Sequence, residues 1–382
     1  MKSALANFSV PYVNLALQYD KIKEELLRAV EYTLRQGQYI LGSEVREFEE
    51  EFAEYCGVRY AVGVGSGTDA LVLALKASGI GPGDEVVTVP NSFLASTSSI
   101  VLAGATPAFV DVREDYNIDP DLIEAVITSR TRAILPVHLT GRPADMSSIL
   151  AKADKYNLAV IEDAAQAVGA GYHKQRVGSF GVTGCFSFHP LKNLNACGDA
   201  GAITTNDEII YRYLLKARNH GLCSHNECEF WSLNSRLDAL QAAMLRVKLK
   251  CLDTWTRERR AIARFYQEHL SDIVEVPQEN SYEYNVYQTF IIQSDQRDEL
   301  QIYLKKRGVE TKIHYPVPIH LQKAARTLGF KTGDFPEAER QARRILSLPI
   351  YPELSQEQIR HVVSSVQEFF VAQNIRKLEA SI

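Results

Sequence analysis

The sequence has no excess of lysine and arginine. Its 42 basic residues are outnumbered by 47 acidic ones, giving a net charge of −5. That excludes a nucleic-acid-binding surface, which needs concentrated positive charge. It also lacks a disulfide framework. Six cysteines (Cys56, Cys185, Cys197, Cys223, Cys228 and Cys251) are scattered through 382 residues, a usage that fits a reducing cytoplasm. No export signal is apparent, because the start of the chain has one lysine and a short apolar stretch broken by Asn7 and Pro11. No unbroken apolar run is long enough to span a membrane. Residues 86–110 carry no charge, but Pro90, Gly104 and Pro107 interrupt them and Ser96–Ser99 make the middle polar. A strand, a short helix and a second strand account for that segment.

What is present is alternation. Apolar strands are predicted at 60–64, 85–89, 107–111, 133–138, 157–162, 184–188 and 201–204, with helices at 68–79, 92–103, 120–127 and 145–156. Asp119-Pro120 supplies a helix start, Asp as N-cap and Pro in the first turn. Short apolar strands alternating with amphipathic helices imply an α/β fold whose mostly parallel sheet is covered on both faces. From about 207 the chain becomes charged and helical (207–219, 235–270), with Leu237, Leu240, Ala243, Met244 and Val247 as a core-facing stripe. Strands at 283–292 and 311–314 and helices at 297–306, 335–345 and 355–370 then suggest a smaller α+β domain. The division expected is 1–250, an N-terminal arm and large domain, and 251–382, a small domain. The first forty residues are expected to form an arm packed on a partner.

Two charged residues stand where burial makes them costly. Asp163 ends the run Leu158–Ile161, at the carboxyl end of a buried strand, where sites of parallel sheets lie. Lys192 follows Cys185–Phe188, and no other lysine or arginine occurs between Phe186 and Gly201. A charge at the mouth of a buried strand is paired or used. Pyridoxal phosphate chemistry uses both: a lysine for the Schiff base and an acid for the pyridinium nitrogen. Taken alone, Asp163 also suits a metal ligand, a base or a structural carboxylate, and a lone lysine is ordinarily a solvated surface charge.

Other segments narrow the choice. Gly65-Ser66-Gly67-Thr68-Asp69 follows a strand and opens a helix, which suits a phosphate or an ordinary glycine turn capped by Thr68. The dinucleotide fingerprint fails at Thr68, and no Gly-Lys-Ser/Thr P-loop or G-x-S-x-G elbow is present. Gln166 lies three residues beyond Asp163, within reach of one ligand. Ser187 alternates with Phe186 and Phe188 and so points away from them. Phe93 suits an aromatic platform or plain core. His220, Cys223, His225 and Cys228 fit no common zinc spacing, so no metal is expected.

The order E-D-A-A-Q (Glu162–Gln166), then F-S-F-H-P-L-K-N-L (Phe186–Leu194), then a glycine turn resembles the DegT/DnrJ-type sugar aminotransferases, pyridoxal phosphate enzymes of fold type I. G-P-G-D-E-V (Gly81–Val86), V-H-L-T-G-R (Val137–Arg142), R-N-H-G (Arg218–Gly221), N-S-R-L-D-A-L-Q (Asn234–Gln241) and H-Y-P-V-P (His314–Pro318) extend the likeness over about residues 10–355. The resemblance implies pyridoxal 5′-phosphate bound to Lys192, with Asp163 on the ring nitrogen, Gln166 on the ring hydroxyl and Phe93 stacked on the ring. Gly67, Thr68 and Ser187 would hold the phosphate. Asn234 would reach it from the other subunit of a homodimer with a shared site. His314, Tyr315 and His320 would receive a nucleotide-linked keto sugar. L-Glutamate would supply the amine, to C3 in preference to C4 of a 6-deoxyhexose. Two departures are visible. Ala200 replaces a glycine of the family's turn, which an ordinary φ tolerates. Lys192 is present where some relatives carry histidine and act as dehydratases, which favours transamination. The rival expectations are a relative that has lost catalysis and serves as a regulator, and a lyase or decarboxylase on the same fold.

Overall fold

The computed structural model describes residues 8–379, with side chains to 373. In chain order the helices are α1 (Leu15–Gln36), α2 (Ser43–Cys56), α3 (Gly67–Ala77), α4 (Leu94–Leu102), α5 (Met146–Tyr156), α6 (Glu208–Ala217), α7 (Ala239–Leu249), α8 (Leu252–Leu270), α9 (Arg297–Lys306), α10 (Pro336–Arg344) and α11 (Gln356–Glu379). The strands are β1 (Tyr60–Val64), β2 (Glu85–Thr88), β3 (Thr106–Phe109), β4 (Thr131–Ile134), β5 (Ala159–Asp163), β6 (Gly171–Tyr172), β7 (Gln175–Arg176), β8 (Thr183–Ser187), β9 (Gly201–Thr205), β10 (Glu283–Tyr284), β11 (Phe290–Gln293) and β12 (Ile345–Leu348).

Seven strands form one sheet in the order β1-β9-β8-β5-β4-β2-β3. β9 is antiparallel to both neighbours, and the remaining adjacent pairs are parallel. Alternate residues feed two cores. Val62, Cys185 and Ile203 join the cluster on one face, whereas Ala61, Phe186 and Ala202 join the cluster on the other. The second face is anchored by aromatic rings: Phe48 meets Phe188 edge-on at 5.5 Å and Phe52 meets Phe186 at 5.0 Å. This packing fixes the strand that leads to Lys192. A third core joins α8, β11, β12 and α11, and Val10 from the far end of the chain belongs to it. Among the described residues no helix is long and apolar enough to cross a membrane.

Several elements depart from expectation. The predicted helix at 120–127 is a 3₁₀ helix, Pro120–Val126, with Asp119 capping the Asp121 N–H as anticipated. The stretch 235–270 is two helices that break at Lys250–Cys251. α7 is wedged between neighbours: Ala239, Ala242 and Leu245 face the core with α2, while Met244 and Val247 face Ile22, Leu26 and Trp255. Thus α1 packs on its own chain, not solely as an arm for a partner. The strand expected at 283–292 splits into β10 and β11. The one at 311–314 reduces to a single bridge, Lys312 to Ser347, before Pro316 and Pro318 end the possibility of pairing. Of β12 only Ile345 falls within the helix predicted at 335–345, because no turn signal separates the strand from α10.

α10 docks on the large sheet through an unusual cap. No side chain of its own first turn caps it. Instead Asp111, just beyond β3, accepts from the Glu337 and Ala338 N–H groups at 2.9 Å each. The carboxylate is buried and sits at the positive end of the helix dipole. Asp111→Ala removes the acceptor of the Glu337 and Ala338 N–H groups, and of its neighbour Val112 N–H, and we expect it to lower the unfolding free energy by about 1–2 kcal/mol. A urea midpoint identical to that of the parent would show that the cap contributes nothing.

Candidate active site

The carboxyl ends of β5 and β8 open into a cavity of about 410 Å³. Its walls bring together Gly67, Thr68, Phe93, Asp163, Gln166, Ser187, Lys192, His314 and Tyr315 from the predicted set. Ser66, Ser92, Ser96, His189, Asp199, Gln288 and Thr289 also line it and were not singled out in the sequence.

One end of the cavity is built for an anion. Ser66, not Thr68, caps α3, its Oγ accepting from Asp69 N–H at 3.1 Å. That leaves the Thr68 hydroxyl and the helix N-terminus facing the cavity beside Ser187. Glycine is required at 67: a Cβ there would lie 2.7 Å from Ser187 Cβ. The loop is tied down by Ser235, whose hydroxyl accepts from Gly65 N–H at 3.0 Å and donates to Asp69 at 2.7 Å.

The other end is built for a cation. Asp163 is 4% exposed. Its Oδ1 accepts from Ala165 N–H at 3.2 Å and its Oδ2 from Ser96 Oγ–H at 2.6 Å. Burial raises the carboxyl above its ordinary range, and the Ser96 and Ala165 hydrogen bonds and the charge of Lys192 pull it back. Burial also lowers the Lys192 ammonium, from 10.5 to about 8, against the opposing pull of Asp163. The neighbouring Glu162 has a different task. It accepts from the Gly178, Phe180 and Gly181 N–H groups at 2.7–2.8 Å and pairs with His138 Nε2 at 3.0 Å. Because Ala144 N–H donates to His138 Nδ1, the ring proton is on Nε2.

Between the two ends lie the remaining side chains. Gln166 Oε1 accepts from Thr140 N–H at 2.8 Å, which leaves its NH₂ as the group available to the cavity. Phe93 is half exposed and its ring centroid lies 5.6 Å from that of Tyr315. His314 Nδ1 is 3.0 Å from Ser347 Oγ. Burial, helped by Lys192 and Lys312, pushes His314 down to about 4, so it is neutral at physiological pH. Burial and Asp163 push Tyr315 up to about 12.

Two predicted residues are elsewhere. His320 is buried outside the cavity, with Nε2 3.1 Å from Glu339 Oε1, so within this chain it is a packing residue. Asn234 is exposed and does not line its own chain's cavity. Ala200 adopts an ordinary φ, so the family's glycine is not needed there. Cys223 and Cys228 donate to backbone carbonyls of their own loop.

An aminotransferase-family profile, DegT/DnrJ/EryC1/StrS, matches residues 20–367. The chain belongs to that family. A "Pleiotropic regulatory protein" of Geobacillus stearothermophilus is 44% identical over 95% of this chain and 99% of its own. The dTDP-3-amino-3,4,6-trideoxy-alpha-D-glucose transaminase of Streptomyces venezuelae is 42% identical over 97% of this chain and 98% of that enzyme. The crystal structure of S. venezuelae DesV in complex with a ketimine intermediate superposes with a TM-score of 0.93 at 43% identity, over 94% of this chain and 98% of that one. The fold is therefore the type I fold expected of the family.

An anion cradle, a buried carboxylate and a lysine in one cavity fit pyridoxal phosphate, which carries a phosphate, a basic ring nitrogen and an aldehyde. In the cofactor-free protein, acylation of Lys192 is expected to rise with a midpoint near pH 8, whereas ordinary lysines respond near 10.5. Asp163→Asn removes the charge that holds the proton on Lys192, so its midpoint falls further. Peptide mapping of the acylated protein across pH reads both midpoints, and an unchanged midpoint in the variant would contradict the coupling.

Proposed function

We propose that this protein is a pyridoxal phosphate-dependent aminotransferase that moves an amino group from L-glutamate to the C3 keto carbon of a nucleotide-linked 6-deoxy sugar, in amino-sugar and polysaccharide biosynthesis in the cytoplasm. The observation that carries this is that Asp163, Lys192 and the α3 N-terminus line one cavity. The 3-amino sugar in the Streptomyces relative's name supports C3.

Thr68, Gly67 and Ser187 would hold the phosphate, Phe93 the ring face, Gln166 the ring hydroxyl and Asp163 the ring nitrogen, with Lys192 as the covalent anchor. When bound, the cofactor supplies an electron sink for the carbanion left by deprotonation next to the amine. The chain's own work is to place charge and protons. Asp163 would keep the ring nitrogen protonated, because a buried carboxylate favours a cation beside it. Lys192 Nζ, at about 8, takes up and returns a proton near neutral pH. Neutral His314 and Tyr315 offer the sugar hydrogen-bonding groups without adding charge. A homodimer would complete the site, with Asn234 crossing to the other subunit's phosphate. Its exposure and the exposed apolar side chains Trp231 and Leu233 beside it support this.

The name of the Geobacillus relative favours a second reading, a regulator on the same fold. The retained Asp163 and Lys192 weigh against it. Incubation with glutamate and a panel of keto-sugar nucleotides separates the two. We expect a 3-amino sugar; a 4-amino product would overturn the C3 assignment, and no amine transfer to any member would favour the regulator. Lys192→Ala should abolish transfer, and borohydride should fix the cofactor to Lys192 in the parent. Asp163→Asn should lose several orders of magnitude in rate, at ~1.4 kcal/mol per tenfold.

A further inference from the structure

Asp163 is delivered by β5, but β5 does not fix where its carboxylate points. The Ala165 N–H engages only Oδ1. Oδ2 is held from a different element, by Ser96 in the first turn of α4, at 2.6 Å. Ser96 in turn lies 2.8 Å from Ser92 Oγ. Both serines are buried, Ser96 completely, so neither hydroxyl is explained by solvation.

The direction of this chain of hydroxyls follows from its end. An ionised carboxylate only accepts, so the one Ser96 proton is committed to Asp163. The Ser92–Ser96 bond must then be donated by Ser92. Both O–H dipoles point toward Asp163, and hydrogen bonds in series within a low-dielectric site reinforce one another. A protonated Asp163 would have no need of this polarity.

We propose that Ser96, backed by Ser92, is a positioning residue that keeps Asp163 ionised and aimed at a protonated ring nitrogen of the bound cofactor. The inference rests on the pyridoxal phosphate reading above and adds to it the source of the carboxylate's orientation. Ser96 does not touch the ring. It acts through Asp163, so its effect is confined to ligands that carry the nitrogen.

The test compares binding of pyridoxal phosphate with binding of its deaza analogue, in which C–H replaces the ring nitrogen, to cofactor-free protein. Affinity is read by equilibrium dialysis. Asp163→Asn is expected to abolish the parent's preference for the nitrogen-bearing cofactor. Ser96→Ala is expected to shrink that preference by about tenfold, the usual size of one hydrogen bond to a charged group, with the affinity for the deaza analogue unchanged. Ser92→Ala, which leaves the Ser96 donor in place, is expected to shrink it less and serves if Ser96→Ala does not fold. A full preference retained in Ser96→Ala, or in Ser92→Ala where that variant stands in, overturns the proposal while leaving the cofactor assignment intact. Equal losses for both ligands would show that Ser96 is merely structural and also overturn it. A preference that survives Asp163→Asn would sink the pyridinium partnership itself and the proposal with it.

Discussion

The structure is organised around a carboxylate that is almost entirely buried. A buried acid is tolerated only when its surroundings supply donors or an opposing charge. Asp163 has a hydroxyl, a backbone N–H and an ammonium arranged around it. The same burial that makes the acid reluctant to ionise makes Lys192 reluctant to stay charged. Each of the two groups therefore restrains the other's drift toward neutrality.

The rest of the fold holds these groups still. β8 is pinned from behind by Phe186 and Phe188 against Phe48 and Phe52, so Ser187 between them is pressed toward the cavity. Glu162, next to Asp163, points to the other face and clamps the turn at 178–181. One strand thus commits one acid to chemistry and its neighbour to architecture. The glycine at 67 lets a helix start close enough to Ser187 for both to face one anion.

Much of this could be read from residues alone. Short apolar runs located all seven strands of the main sheet, because most residues of those strands are buried on both faces. The cavity residues Gly67, Thr68, Asp163, Gln166, Ser187 and Lys192 were legible because each sits at a strand end or in a motif of fixed order. Ser96 was not, since a serine in a polar stretch, Ser96–Ser99, looks like solvent exposure until α4 turns it inward. His320 misled because it follows a motif whose first two members do line the cavity, whereas the 3₁₀ turn Ile319–Leu321 buries it. β12 escaped for lack of punctuation, and the break in 235–270 because no proline or glycine marks it.

The third core carries a consequence for how the chain is made. Val10 adds to it by pairing in parallel with Val309, and Ser9 bonds to Gly308, 299 positions away. The C-terminal module is thus not a contiguous piece of polypeptide but one sewn shut with a thread from the opposite terminus. On the ribosome that thread emerges well before its partner and has nothing to pair with until Val309 follows. A fragment beginning after β9 would expose the apolar seat that Val10 fills.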